Sequence, residues 1–274
     1  MNGERLGVIA GGGDLPKRVA QHARSSGTIV FVLGIKGFAS REWVAGFDGA
    51  EVAIGEVGRS IRLLRQANCK EIVFAGGVRR PSFSVRNFDV RGALLLPELI
   101  SAAAKGDDAL LRVVVRTFEN AGFRVIGADD VLKTLLAPAG PYGSSRPSAS
   151  DWRDIRVAAK AAAEIGAMDV GQGAVARDGA IMASEASDGT DAMLGRLQKG
   201  SRSGVLVKRP KPMQELRIDL PAIGTTTVRE AARAGLSGIA VEAGGVLVVD
   251  RDEVGRLADE LGLFVYGFTP GELA

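Results

Sequence analysis

The chain has 274 residues, 46% hydrophobic and 5% aromatic, and carries 35 Lys and Arg against 32 Asp and Glu, a formal charge of +3. That length holds about two domains, each with a core of its own, and the composition excludes disorder, collagen and disulfide scaffolds. His22 and Cys69 are the sole residues of their kinds. Neither a disulfide within the chain, nor a Cys/His zinc site, nor a two-metal His cluster can therefore be assembled, and any divalent metal must sit on carboxylates.

The opening stretch MNGERLGVIAGGGDLP is too short in apolar residues for a signal peptide, and no apolar run approaches the roughly 20 residues of a spanning helix. A cytoplasmic protein is expected. The mild positive charge permits phosphates, nucleic acid or acidic lipid as partners without selecting one. The scarcity of aromatics argues against a stacking platform for single strands.

In chain order, Leu6 to Ala10 reads as a short buried strand, followed by the turn Gly11-Gly12-Gly13-Asp14 and a helix from Leu15 to Arg24 that holds His22. Ile29 to Gly34, Glu51 to Ile54 and Ile72 to Gly76 read as further strands, with Ile61 and Leu64 at helical spacing between the last two. Strands alternating with helices predict a parallel sheet covered on both faces, a Rossmann-like domain. Helices at Gly92 to Ala104 and Asp107 to Ala121, a strand at Phe123 to Gly127 and a helix near Asp130 to Leu136 complete a first domain over residues 1–137. Residues 138–150 concentrate Pro, Gly and Ser and read as a linker.

A mixed α/β domain is expected over 151–274. It opens with a helix from Asp151 to Ile165, then two strands, Gly173 to Arg177 and Ala180 to Glu185, joined at the hairpin signal Asp178-Gly179. A helix over Asp191 to Gln198 and strands at Val205 to Lys208 and Glu215 to Asp219 follow. Thr227 to Glu230 is a capping box that opens a helix ending near Gly235. Ile239 to Glu242 and Val246 to Val249 are expected to pair across Gly244-Gly245, Asp250 to cap a helix running to Leu261, and Phe264 to Phe268 to finish the sheet.

Chemistry has several candidate seats. Gly11, Gly12, Gly13 and Asp14 follow a strand and open a helix, so their amides and the helix dipole suit a phosphate or nucleotide; the spacing is neither a P-loop nor a full dinucleotide fingerprint. Gly76 and Gly77 end a strand at the sheet's carboxyl edge, and Arg79 and Arg80 then offer planar donors for phosphate oxygens. The acid doublets Asp107-Asp108 and Asp129-Asp130 serve as helix caps or as partial Mg²⁺ ligands. Glu185, Asp188 and Asp191, with the hydroxyl of Thr190, crowd one loop. Lys208, Arg209 and Lys211 crowd the next, and period-two spacing puts Arg217 and Asp219 on one strand face. Carboxylates beside such cations fit a metal-phosphate site, with Asp219 holding metal or orienting water. Cys69 reads as a packed residue rather than a nucleophile. Leu94-Leu95-Leu96 and Leu99 are core or the wall of an apolar groove.

The motifs GGGDLP at Gly11, FAGGV at Phe74, DGTDAM at Asp188 and KPMQ at Lys211, leading into Arg217, Asp219, Leu220, Pro221, Ile223 and Gly224, are spread along nearly the whole chain. In them the sequence resembles the two-domain UDP-2,3-diacylglucosamine pyrophosphatases of lipid A biosynthesis in Gram-negative bacteria, the metal-dependent type unrelated to calcineurin-like phosphoesterases. The resemblance implies a hydrolase that cleaves the pyrophosphate of UDP-2,3-diacylglucosamine to UMP and 2,3-diacylglucosamine 1-phosphate (lipid X), with Mg²⁺ and with water attacking the sugar-side phosphorus. It implies a site between the two domains and a homodimer. On that reading Asp219, Asp191, Lys211 and Arg217 are catalytic, and Asp219, Asp188, Asp191 and Glu185 are the metal candidates. Gln214 and Thr190 join the two glycine turns and Arg79 and Arg80 on the substrate. No nucleic acid is expected, and a lipid substrate implies peripheral contact with the inner face of the inner membrane. From residues alone, a non-catalytic nucleotide-binding regulatory module and a nucleotide-sugar transferase stay open.

Overall fold

Three nearly unbroken apolar runs, RLGVIA, IVFVLGI and CKEIVFA, build the centre of the first sheet, because strands covered on both faces need no polar alternation. The computed structural model describes residues 5–78, 87–186, 188–197, 202–212, 217 and 220–274, without the side chain of Lys133. The chain divides into two compact units, the first comprising residues 1–132 and 215–218, the second 133–214 and 219–274.

The first unit runs β1 (Arg5–Ala10), α1 (Leu15–Ser25), β2 (Ile29–Ile35), α2 (Arg41–Val44), β3 (Asp48–Val52), α3 (Val57–Gln66), β4 (Cys69–Ala75), α4 (Val90–Ala103), α5 (Asp107–Glu119), β5 (Arg124–Ile126) and α6 (Ala128–Val131). Its five strands are all parallel in the order β3-β2-β1-β4-β5. This is the doubly wound arrangement, whose strand order reverses between β1 and β4. Ile61 and Leu64 of α3 pack with Leu33, Ile72 and Phe118 in one core cluster.

Two boundaries differ from expectation. β3 starts at Asp48 and ends at Val52, because Gly49 lies so close to Val32 that a Cβ would overlap its carbonyl oxygen; polar-looking residues are thereby paired. The helix expected near Asp130 to Leu136 is instead the single turn of α6 and a 3₁₀ turn over Lys133–Leu135. Nor do Asp107 and Asp108 cap α5: Gly106 holds the cap position at φ +132°, and Asp108 is buried against Arg112.

The second unit contains β6 (Gly140–Pro141), α7 (Ala149–Ala167), β7 (Gly173–Arg177), β8 (Ala180–Ser184), α8 (Thr190–Gly195), β9 (Val205–Lys208), β10 (Ala222–Ile223), α9 (Thr225–Arg233), β11 (Gly238–Glu242), β12 (Leu247–Val248), α10 (Arg251–Leu261) and β13 (Phe264–Phe268). Six strands form a mixed sheet in the order β6-β13-β11-β9-β7-β8, with β9, β11 and β13 parallel and the outer strands antiparallel. Alternation sorts its residues between two cores. Ala174, Ala176, Val205, Val207 and Ala240 face Ile155, Ala158, Ala159 and Ala162 of α7, while Val175, Leu206, Ile239 and Val241 face the helical layer with Val228 and Val254. The Asp178-Gly179 hairpin forms as expected, with both residues at positive φ and both amides donating to the buried carboxylate of Asp154.

Residues 138–150 are not a free linker in this structure. β6 pairs with β13, the Tyr142 amide donates to the Val265 carbonyl at 2.9 Å, and Ser144 donates from both N–H and Oγ to Asp259. Gly255 and Gly267 lack a Cβ where the carbonyls of Tyr142 and Pro138 press against them. None of residues 138–150 is buried, and the segment is held by backbone pairing and by its bonds to Asp259.

The hairpin expected across Gly244-Gly245 is also replaced. β11 already has parallel neighbours on both edges, so β12 pairs with β10 in a separate two-stranded sheet. The helix expected from the Thr227 box opens earlier, at Thr225, with Gly224 in extended backbone as its cap. The strand expected over Glu215 to Asp219 lies outside the described residues except for Arg217.

α7 begins two residues before Asp151, at a reciprocal cap: Ser148 Oγ accepts from the Asp151 amide at 3.3 Å, and Asp151 Oδ2 accepts from the Ser148 amide at 2.8 Å. Ser148→Ala is expected to destabilise the second unit by about 1 kcal/mol, read as a lower urea midpoint with unchanged slope.

Candidate active site

The two glycine turns stand at the carboxyl ends of β1 and β4, where the strand order reverses and ligands bind in such sheets. They are joined backbone to backbone. Gly11 N–H donates to the Ala75 carbonyl at 2.8 Å, Gly12 N–H to Gly77 O at 2.9 Å, and Gly77 N–H back to Gly12 O at 3.2 Å. A Cβ on Gly11 would stand 2.6 Å from Gly76 O. The glycines are therefore required by each other, and the Gly11 and Gly12 amides expected to cradle phosphate are already engaged. The first turn of α1 adds amide donors at this end, except at Pro16. Asp14 is exposed there, and a carboxylate repels phosphate while accepting hydroxyls, so this end suits a sugar better than a phosphate. Arg79 and Arg80 lie outside the described residues.

In the second unit the loop from Glu185 to Asp191 does not converge. Glu185 is buried: its Oε1 accepts the Thr190 hydroxyl at 2.9 Å and its Oε2 the Gln172 amide at 3.3 Å. Asp188 turns outward to Arg196, whose hydrogen-bonded guanidinium holds that carboxyl below the usual aspartate range. Asp191 is exposed in the first turn of α8. Among the described residues no group of three or more His, Cys, Asp or Glu is placed to hold a metal. Of the metal candidates Asp219, Glu185, Asp188 and Asp191, the last three point in different directions, because a strand end and a helix start separate neighbouring carboxylates. Asp219 and Gln214 lie outside the described residues. Mg²⁺ needs only one or two protein carboxylates beside water and phosphate oxygens, and the exposed carboxylate of Asp191 fits that sparse mode.

The cations are likewise tied to acids. Lys211 Nζ lies 2.7 Å from Asp169 Oδ1, and Arg209 Nη2 lies 2.7 Å from Glu242 Oε2. Arg217 belongs with the first unit, its guanidinium 2.6 Å from Glu119 Oε1. It lines a groove of about 490 Å³ with Lys105, Arg112 and Arg116. Thr190, expected on substrate, has its hydroxyl held between Glu185 and the Lys208 ammonium, 2.7 Å away. In the sequence Lys208 stands as one cation of a basic run. The signal was a charge closing an apolar strand, VLVK, whose every residue is buried. Leu96 and Leu99 point into the core while Leu94 is 78% exposed, so the leucine run is not a single wall.

His22 is an exposed residue of α1, as expected. Cys69 is buried at the start of β4, and burial pushes its thiol up to about 11. At pH 8 roughly one such thiol in a thousand is ionised. Alkylation of the native protein is therefore expected to run about 10²-fold slower than in urea, where the thiol regains its ordinary pKa.

A family model described as the LpxI N-terminal domain matches residues 5–135, and one described as the LpxI C-terminal domain matches residues 138–266. UDP-2,3-diacylglucosamine pyrophosphatase LpxI of Caulobacter vibrioides (strain ATCC 19089 / CIP 103742 / CB 15) is 47% identical over 277 residues, covering 98% of this chain and 99% of that protein. Among solved structures, the Bordetella bronchiseptica enzyme WbmG in complex with NAD and UDP aligns over 97% of this chain and 82% of its own at 14% identity, with a TM-score of 0.34. Two family domains matched in order, and a relative aligned almost end to end, establish that the chain belongs to the LpxI family.

Proposed function

We propose that this protein hydrolyses the pyrophosphate of UDP-2,3-diacylglucosamine, releasing UMP and 2,3-diacylglucosamine 1-phosphate in lipid A biosynthesis. The observation that carries the reading is 47% identity, over 98% of the chain, to a relative named for that activity. Water adds to one phosphorus, the bridging P–O bond breaks, and the bridging oxygen leaves with the other phosphate. The protein's task is to hold the diphosphate, offset its charge and orient the water.

Asp219 and Asp191 are the carboxylates assigned to that task. They would also hold Mg²⁺, which when bound neutralises phosphate oxygens and acidifies water. Arg79, Arg80, Lys211 and Arg217 are the cations on offer. Lys211 and Arg217 are paired with Asp169 and Glu119, so phosphate engages them only by competing with those carboxylates. Gly13, Asp14 and Gln214 are assigned to the sugar or nucleoside parts. A diacylated substrate places the enzyme, as a homodimer, in peripheral contact with the inner face of the inner membrane. No helix among the described residues is long and apolar enough to cross a membrane.

The test is direct: purified protein, UDP-2,3-diacylglucosamine in mixed micelles, with Mg²⁺ or with chelator. Equimolar UMP and diacylglucosamine 1-phosphate are expected, in amounts that fall sharply on chelation. Nucleotide affinity without turnover would point to a regulatory module, and transfer that demands an acceptor would point to a transferase.

A further inference from the structure

Lys208 ends β9 with a charge that the fold buries, leaving the residue 5% exposed. A buried ammonium must find acceptors or lose its charge. Two are within reach of Nζ: Thr190 Oγ1 at 2.7 Å and the Ala222 carbonyl at 3.4 Å. The Thr190 hydroxyl in turn donates to Glu185 Oε1 at 2.9 Å, and the other Glu185 oxygen accepts from the Gln172 amide. Gly171 and Gly173 make room for this carboxylate: a Cβ on Gly173 would stand 2.9 Å from Glu185 Oε2, and one on Gly171 would overlap the Glu185 carbonyl. The chain Lys208, Thr190, Glu185 is thus a built feature, with every member's bonds made inside the second unit.

What the ammonium joins is informative. Thr190 opens α8 and is followed at once by Asp191; Ala222 opens β10 and stands three residues after Asp219. One buried cation therefore ties the end of β9 to the start of α8, where Asp191 stands, and to the start of β10.

We infer that Lys208 is a positioning residue for the hydrolysis, setting Asp191 at the start of α8 without touching substrate; the inference rests on the pyrophosphatase reading above. Lys208 differs from Lys211 and Arg209 of the same run, whose recorded acid partners are Asp169 and Glu242. Displacing a catalytic group by about 1 Å costs on the order of 10²-fold in rate, while a substrate contact that is equal in ground and transition states would move KM instead.

The experiment compares full-length wild type with Lys208→Met, Thr190→Val and Thr190→Ser, in steady-state hydrolysis of UDP-2,3-diacylglucosamine and in hydrogen exchange. Lys208→Met is expected to lower kcat about 10²-fold with KM changed less than about 3-fold. Thr190→Val, which removes the bridging hydroxyl, should lower kcat about 10-fold, and Thr190→Ser, which keeps it, should restore kcat to within about 2-fold. Exchange in residues 188–193 and 220–223 should quicken together in Lys208→Met, with the β9 and β11 amides unchanged. Wild-type kcat in Lys208→Met, a raised KM at unchanged kcat, or a serine variant no better than valine would each overturn the inference. Should Lys208→Met fail to fold, the two Thr190 variants decide by the same criteria. A wild type without turnover would sink the pyrophosphatase reading, whereas unchanged exchange at both segments would sink the Lys208 tie whatever the activity.

Discussion

Replacing Asp219 with alanine is expected to lower kcat for UDP-2,3-diacylglucosamine by about 10³-fold or more, the size of effect seen when a group stabilising transition-state charge is removed. A diphosphate ester resists water because its oxygens repel an incoming nucleophile. Hydrolysis therefore depends on a carboxylate that either organises a cation or aims the water. Asparagine keeps the shape of that side chain but not its charge, so Asp219→Asn should be nearly as inactive as alanine. Asp191→Ala, on the exposed first turn of α8, should follow with a loss of roughly 10- to 100-fold. Asp188→Ala should lose far less, since its carboxylate is directed at Arg196. UMP release, measured on protein whose melting temperature matches wild type, checks the series. An Asp219→Ala enzyme with wild-type kcat, or a larger loss at Asp188 than at Asp219, would remove the assignment while leaving the family membership intact.

The ranking Asp219, Asp191, Asp188 shows what a sequence conveys and where it stops. Buried parallel strands are legible because burial on both faces demands unbroken apolar runs, and β1, β2 and β4 have them. Turns are legible where φ must be positive, as at Asp178-Gly179. The acidic loop was legible as a concentration of charge but not as a geometry. Within seven residues one carboxylate is buried, one pairs with Arg196 and one is exposed, since orientation depends on where a strand ends and a helix begins. Residues 138–150 misled for the opposite reason. Pro, Gly and Ser mark freedom in solvent and equally mark places where backbones touch, and only Gly255 and Gly267 on distant elements reveal which applies. Lys208 was hidden because burial of a charge depends on acceptors from α8 and β10, remote in sequence.

Gly76→Ala carries the largest expected cost in stability, about 3 to 5 kcal/mol, because two penalties of comparable size act at one residue. Its φ of +87° is a conformation that an L side chain adopts only with strain, and a Cβ there would overlap Gly12 O and stand 2.7 Å from Pro16 Cγ. The obstruction is backbone and a proline ring, neither of which can swing aside. Two neighbouring glycines separate the terms. Gly13 shares a positive φ of +84° but has nothing within 4 Å of its Cβ position, so Gly13→Ala should cost only the conformational part, about 1 kcal/mol. Gly11 lacks positive φ but faces Gly76 O at 2.6 Å and Gly77 O at 2.8 Å, so Gly11→Ala should cost the steric part, about 2 to 3 kcal/mol. Urea unfolding of the full chain, followed by Trp43 fluorescence in a Trp152→Phe background to isolate the first unit, gives the three values. The ordering Gly76 above Gly11 above Gly13 is required if the two turns meet because these positions lack side chains. Equal losses at Gly76 and Gly13 with almost none at Gly11 would mean that the turns can separate without cost, and that their pairing at the switch point is not what shapes this end of the sheet.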